Sequence, residues 1–461
     1  MPVPVRLVRR LALSAVLVLV AGSCGGDADD AAEPEAEEPR AESSPAADDE
    51  VQLFDSSVVH AIELEFDEGD YDAMVETYAD SGEKEWIEAT ATIDGTTYER
   101  VGLRLKGNSS LFGVGGTEEG GGGGPAGGPS GGADADDPAS LPWLIRLDEY
   151  VEGQEHQQRE DIVIRSNSSE TSLNEAVALE LLEDALLPSQ QAIATSFVVN
   201  GSDAELRLAV ENPDDDAWQD ASFESEGALY KAESTGTWEY RGDDPASYEE
   251  VFDQEGGKDV ADLSPLIDLL QFVDESDDET FSAELEDRLD VEAFATYLAA
   301  MELLGNFDDI DGPGNNAYLW YDVETERFTI VPWDLNLALG SGGGFPGGGG
   351  GPPEGFEPPA GGEMPEGFEP PAGGEMPEGG PPGGGFGRAN RLVERFHADE
   401  AFEAIYQYKL GDLRADLFET GDAQEILDRW VDVLTTQAGD LVDAATVEEE
   451  AESVASHFEE S

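Results

Sequence analysis

The sequence predicts an α+β fold of two lobes, on three observations. Alternation of apolar and polar residues with period two crowds its first half, longer helical periodicities fill its second, and two glycine- and proline-rich stretches interrupt the pattern without adding to either. Of the 461 residues, roughly 110 are leader-like or of low complexity, which leaves about 350 for a core, enough for one large or two-lobed domain.

Residues 1–24 read as a lipoprotein-type signal peptide. Arg6, Arg9 and Arg10 precede the apolar run LALSAVLVLVA, and Gly22-Ser23-Cys24 follow it. The run is short for a membrane span. Cys24 is the chain's single cysteine and stands where a bacterial lipoprotein signal places its lipidated residue, with Ala21 in the position usually held by leucine. The expectation is an exported body tied to the cell membrane through lipidated Cys24 and facing outside; ordinary secretion is the second reading and a retained anchor helix the third. Lacking a second cysteine, the chain has no disulfide to stabilise it. Residues 25–50, dominated by Asp, Glu, Ala and Pro, read as an acidic disordered linker.

The folded domain is expected over residues 51–445, followed by an acidic tail at 446–461. VVHAIELEF alternates as a half-buried strand, and WIEATATI with TTYERVGLRLKG form a hairpin about Asp94-Gly95. LPWLIRLDEY and EDIVIRSN read as strands. Ser172 and Glu175 have the spacing of a capping box, opening a helix to about Leu187. AIATSFVVNG and AELRLAVEN pair across Asn200-Gly201, and VADLSPLIDLLQFV and DVEAFATYLAAMELLGNF read as helices. Two further helical stretches run from about Asn390 to Leu410 and from Ala423 to Ala444. The interruptions, at 113–139 and 341–388, read as inserted loops; the second repeats EGFEPPAGGEMP in tandem, too few copies for a stacked solenoid.

The formal charge is −82, from 105 acids against 23 bases, and the bases divide into 18 arginines and five lysines. Such a field excludes nucleic acid as a partner and disfavours anionic membrane surfaces. It also makes the compact state self-repelling at low ionic strength, so a saline, halophilic setting is expected, where the Debye length falls to ~3 Å at 1 M salt. The four histidines, His60, His156, His397 and His457, lack zinc-ligand spacing.

The chemistry concentrates in residues 305–340, GNFDDIDGPGNNAYLWYDVETERFTIVPWDLNLALG. Carboxylates and amides beside a strand-like run suit a metal-assisted phosphoryl transfer: Mg2+ takes one or two protein carboxylates and leaves its other positions to water and phosphate oxygens. Asn316 and Asp334 are the candidate metal ligands. Asp311 lies five residues before Asn316, the D-x-x-x-x-N interval of ordinary kinase catalytic loops. Phosphate oxygens need cations or backbone donors; Arg104, Lys106, Arg146, Arg165 and Lys231 all fall in the β-rich half, and Gly107 to Ser110 offer N–H groups and hydroxyls.

Four motifs in order, Arg104-Leu105-Lys106-Gly107-Asn108-Ser109-Ser110, Asn306-Phe307-Asp308, Asn315-Asn316-Ala317-Tyr318-Leu319-Trp320 and Pro332-Trp333-Asp334-Leu335-Asn336, resemble those of the CotH kinase family, the spore-coat-protein-H-like atypical kinases. With SLNEAVALELLEDALLPSQQAIATSFVVNG and the regions of Glu211 and Lys231, the resemblance covers most of residues 55–440. It implies an atypical protein-kinase-like fold and a Ser/Thr protein kinase using ATP with Mg2+, or Mn2+ in its place, on exported or surface proteins. Under it Asp308 matches the family's catalytic aspartate and competes with Asp311 for that role. Arg104, Lys106, Asn108, Ser109, Arg146, Glu211 and Lys231 become the nucleotide-binding candidates. Where family members often carry two lysines, this chain has Leu141 and Pro142, leaving Arg146 or Lys231 as substitutes. The alternatives are a non-catalytic surface or coat protein on the same scaffold, and a binding module whose Gly/Pro insertion contacts a polymer.

Overall fold

The computed structural model describes residues 51–107, 109–111, 114, 133–234, 236–312, 315–340 and 390–460. Cys24, the signal peptide, the acidic linker, most of the first insertion and the whole of the second lie outside the described residues.

The first half builds a barrel. Strand β1 (His60–Phe66) leads through helix α1 (Glu68–Ser81) to β2 (Ile87–Ile93) and β3 (Thr96–Leu105). After β4 (Trp143–Arg146), β5 (Asp161–Ile164) and helix α2 (Leu173–Asp184), strands β6 (Ala192–Val199) and β7 (Glu205–Val210) complete the set. The order β1-β2-β3-β4-β5-β7-β6 closes because β1 pairs in parallel with β6, Ile62 opposite Phe197. Both predicted hairpins are present, with Ile93 opposite Thr96 and Phe197 opposite Glu205. Inward residues such as Leu64, Leu103, Leu105, Trp143, Ile164 and Phe197 fill the interior, so the barrel is a packed core.

Helix α3 (Asp216–Ser222) leads to β8 (Gly227–Ala232) and β9 (Phe252–Gly256). After α4 (Ser264–Glu275), α5 (Asp278–Glu284) and α6 (Val291–Leu304), the hairpin β10 (Ala317–Asp322) and β11 (Arg327–Pro332) completes an antiparallel sheet in the order β11-β10-β8-β9. Helices α7 (Arg391–Ala398), α8 (Glu400–Leu413), α9 (Asp422–Gln437) and α10 (Ala444–Glu460) follow. They share a second core with this sheet, α6 and α2. The α+β assignment, strands first and helices later, therefore holds.

Four local readings need correction. Ser172 precedes α2 with φ +53° and makes no side-chain cap, while Glu175 is buried against Arg165, so the capping-box spacing is coincidental. The stretch from Asn390 is two helices, divided at Asp399, whose carboxylate caps α8 by accepting from Ala401 and Phe402 N–H. Ala133 to Ala139, assigned to the first insertion, belongs to the fold: Ala139 is buried and the Tyr71 hydroxyl donates to the Ala135 carbonyl at 2.8 Å. The supposed acidic tail is α10, which buries Val447 and Val454 seven residues apart on one face.

Candidate functional site

A cleft of about 610 Å³ runs between the end of β3, the outer face of β8 and β9, and the open end of the β10–β11 hairpin. Strand periodicity explains its floor. Leu103 and Leu105 point into the barrel, so Arg104 and Lys106 between and beyond them point out toward the cleft. On β8, Tyr230 and Ala232 are buried and Lys231 faces the same space. Gly107, two residues past the end of β3, sits at φ +109°, and the Ser110 hydroxyl occupies the position a Cβ there would need, so glycine is required for the turn.

The hairpin register brings the two halves of the sequence motif together. Ala317 opposes Pro332, so the residues just beyond the paired ends, Asn316 and Trp333-Asp334, flank one another although 17 to 18 positions apart in the chain. Helix α6 ends at Gly305 in the left-handed region and turns the chain into Asn306-Phe307-Asp308. The loop is tight: a Cβ on Gly312 would lie 2.1 Å from the Phe307 carbonyl oxygen. Asn316 Nδ2 donates to Asp308 Oδ2 at 3.0 Å, and both residues line the cleft.

Asp334 sits at φ +62°, a conformation that aspartate tolerates better than most residues and that must be held by its surroundings. Arg165 holds it, with Nη2 on Asp334 Oδ1 and Nε 2.9 Å from Glu175 Oε1. Burial works against the Arg165 charge, yet Asp334 and Glu175 keep the guanidinium firmly protonated. Burial raises the pKa of Glu175 even beside Arg165.

Lys106 Nζ lies 3.2 Å from Asp214 Oδ2 and 3.3 Å from Asn212 Oδ1, with the Trp333 ring centroid at 5.6 Å. Arg165 stacks on the same indole at 5.5 Å, so Trp333 spaces two cations. Lys231 Nζ is 2.6 Å from Glu233 Oε1. Arg104 lies over Trp86 at 4.6 Å, and its buried Nε has no hydrogen-bond partner among the described residues. Lys84 enters from the loop after α1; burial, then the positive charges of Lys231 and Lys106, push it down to about 8. Across the cleft, burial raises Asp253 and Glu255 above the ordinary carboxylate range, helped by Glu233 and Asp214 respectively. Three of the chain's five lysines therefore converge on one cleft in a protein of charge −82. Clustered like charges cost free energy that an anionic ligand offsets.

Of the residues predicted from sequence, Arg104, Lys106, Arg165, Lys231, Asp308, Asn316 and Asp334 line this cleft. Three others do not. Asp311 turns away, its Oδ1 accepting from the Asn390 N–H at 2.8 Å at the start of α7. Arg146 grips Asp161 on the neighbouring strand with two bonds of 2.8 and 2.6 Å. Glu211 pairs with Arg159 and accepts from the Gln191 N–H at 2.8 Å. Asn108 lies outside the described residues, and Ser109 opens a short 3₁₀ turn. Sequence reasoning missed Lys84, Asp253 and Glu255. Scarcity was the available signal for Lys84, since any lysine stands out among five.

Compared with known proteins, residues 132–454 match the family model described as CotH kinase protein. The chain belongs to the CotH kinase family, and is kinase-like at that level. The match includes Arg165, Lys231, Asp308, Asn316 and Asp334, whereas Lys84, Arg104 and Lys106 precede it. No curated protein matches the chain.

Proposed function

We propose that this CotH-family protein is an exported Ser/Thr phosphotransferase that passes the γ-phosphoryl group of ATP to a hydroxyl on another exported or surface protein, with Mg2+ or Mn2+. The observation that supports it most is the meeting of three lysines with Asp308, Asn316 and Asp334 in one cleft. We read the barrel and the sheet-and-helix half as the two lobes of an atypical protein-kinase-like fold, and the first 24 residues as the export signal, with Cys24 lipidated.

The donor chemistry fits a hard divalent cation, because Asp308, Asn316 and Asp334 offer oxygen ligands without sulfur or imidazole nitrogen. Asn316 and Asp334 would hold the ion, which supplies charge neutralisation at the phosphate oxygens. Lys84, Arg104, Lys106 and Lys231 receive those oxygens. Asp308, oriented by the Asn316 amide, accepts the acceptor hydroxyl's proton while that oxygen bonds to the γ-phosphorus and the bond to the ADP oxygen breaks. Asp311 serves the loop rather than the reaction, because its carboxylate is committed to the backbone of Asn390.

Incubating the full chain in high salt with ATP, Mg2+ and candidate exported proteins tests this reading. Equal molar release of ADP and appearance of phosphoserine or phosphothreonine support it; hydrolysis without transfer, or no reaction, counts against it. The Arg165–Asp334 pair favours a second reading, a non-catalytic binding scaffold, since a cation already occupies the carboxylate a metal needs. Nucleotide binding that is indifferent to Mg2+ would support that reading.

A further inference from the structure

The inner face of α10 carries Val447, Glu450, Val454 and His457, at intervals of three, four and three residues. Glu448, Glu449, Glu452 and Glu459 are exposed, whereas Glu450 turns inward. Its carboxylate accepts from the Ser169 hydroxyl at 2.8 Å, the Glu170 N–H at 2.9 Å, the Thr171 N–H at 3.1 Å and the Thr171 hydroxyl. Four donors on one carboxylate make a charge-assisted anchor. It replaces the missing cap of α2: Ser172 makes no side-chain cap, and Leu173 N–H donates instead to Thr171 Oγ1 at 3.2 Å, an atom that Glu450 holds. Negative charge there also suits the N-terminus of α2.

The anchored loop is the brace of the Asp334 loop. The Ser168 hydroxyl donates to the Asn336 carbonyl at 3.0 Å, and Asn174 Nδ2 to the same oxygen at 2.8 Å and to Ala338 at 3.3 Å. Arg165, three residues before Ser168, pairs with Asp334 itself. The same helix reaches the other half of the site. His457 Nε2 lies 2.9 Å from the Leu303 carbonyl in the last turn of α6, which leads to Asp308, and Leu339 N–H closes the circuit on Leu304 at 2.7 Å.

We propose that Glu450 is a positioning residue: from the C-terminal helix it fixes residues 169–171, and with them the flanking Ser168 and Asn174 that hold the 334–338 loop, and thereby sets the affinity of Asp334 for the divalent cation. The proposal rests on the reading of Asp334 as a metal ligand, and its structural half stands apart from that reading.

The test compares full-length wild type, Glu450→Gln, Glu450→Asp and Val454→Ala by amide hydrogen exchange without ligand, and by phosphate incorporation as Mg2+ is varied. Glu450→Gln is expected to speed exchange at 335–339 as well as at 170–173. It should also raise the Mg2+ concentration for half-maximal rate about tenfold, the loss of one charge-assisted hydrogen bond, with the rate at saturating Mg2+ within about twofold of wild type. Glu450→Asp should recover part of both effects. Val454→Ala, which loosens the helix but keeps the carboxylate, should leave the Mg2+ dependence in place. Faster exchange confined to 170–173, or an equal Mg2+ shift in Val454→Ala, overturns the proposal. If wild type shows neither phosphate incorporation nor Mg2+-dependent nucleotide binding, the functional reading fails, while the exchange data still decide the coupling between the loops.

Discussion

The flank of the barrel and the cleft beside it both hold buried charge, and they use it differently. On the flank, Arg146 closes on Asp161 and Arg159 on Glu211, each cation in direct contact with its acid. In the cleft, Lys84, Lys106 and Lys231 lie close enough to depress the Lys84 proton affinity, and Lys106 and Lys231 both act on Asp214, holding its carboxyl down against the effect of burial. Saturated pairs hold strands together; charges that share partners around an open volume are arranged for a ligand. Burial alone does not separate the two regions, since Asp161 and Asp214 are both nearly inaccessible.

Substitutions should therefore divide by region. The largest loss of activity is expected for Asp334→Asn, about 10³-fold or more in phosphate incorporation with the fold intact by circular dichroism. Asp308→Asn should cost about 10²- to 10⁴-fold, as expected for a general base. Asp311→Asn should keep near-normal turnover and lose about 1 kcal/mol of stability through a weaker bond to Asn390; an activity loss equal to that of Asp308→Asn would exchange their roles. On the flank the pattern reverses. Arg146→Met strands the buried Asp161 charge and should cost about 3 kcal/mol in denaturant unfolding, the low end for a broken buried pair because Arg146 is partly exposed, without changing turnover of the folded fraction.

Two smaller effects sharpen the comparison through pH. Binding of tripolyphosphate should raise the Lys84 pKa from about 8. Above that value binding takes up a proton at Lys84, so the Lys84 contribution to affinity is full below about 8 and falls above it. Lys84→Met should weaken binding by about tenfold below pH 8 and flatten the pH profile; an unchanged profile by calorimetry would remove Lys84 from the site. Asp309 is pushed up to about 7 by burial, then by Asp311 and Asp308. A folded-state value above the unfolded one means stability falls as pH rises from about 4 through 7. Asp309→Asn should then melt higher than wild type at pH 8, by a smaller margin at pH 5, and alike only below about pH 4.

How much was legible in the sequence follows from the range of the interactions. Hairpins at Asp94-Gly95 and Asn200-Gly201 are set by neighbouring residues, and both could be read. Closure of the barrel depends on a parallel pair, β1 with β6, whose strands are more than 120 residues apart and carry no local mark of each other. That Asp308, Asn316 and Asp334 meet in one cleft was legible because their motifs are short and the hairpin between them is local. The roles of Asp311 and Glu175 were not, since Asn390 and Arg165 become their partners only on folding. The acid-rich composition of residues 446–461 hid a helix whose inner face needs only Val447, Glu450, Val454 and His457 to dock.

The most direct test of the central claim is phosphate transfer from labelled ATP by the full chain in high salt with Mg2+, wild type against Asp334→Asn. The cleft's lysines and carboxylates predict label on serine or threonine that disappears in the folded variant while Arg146→Met retains it. Equal labelling by wild type and Asp334→Asn, or a folded wild type that neither labels nor binds nucleotide, would contradict it.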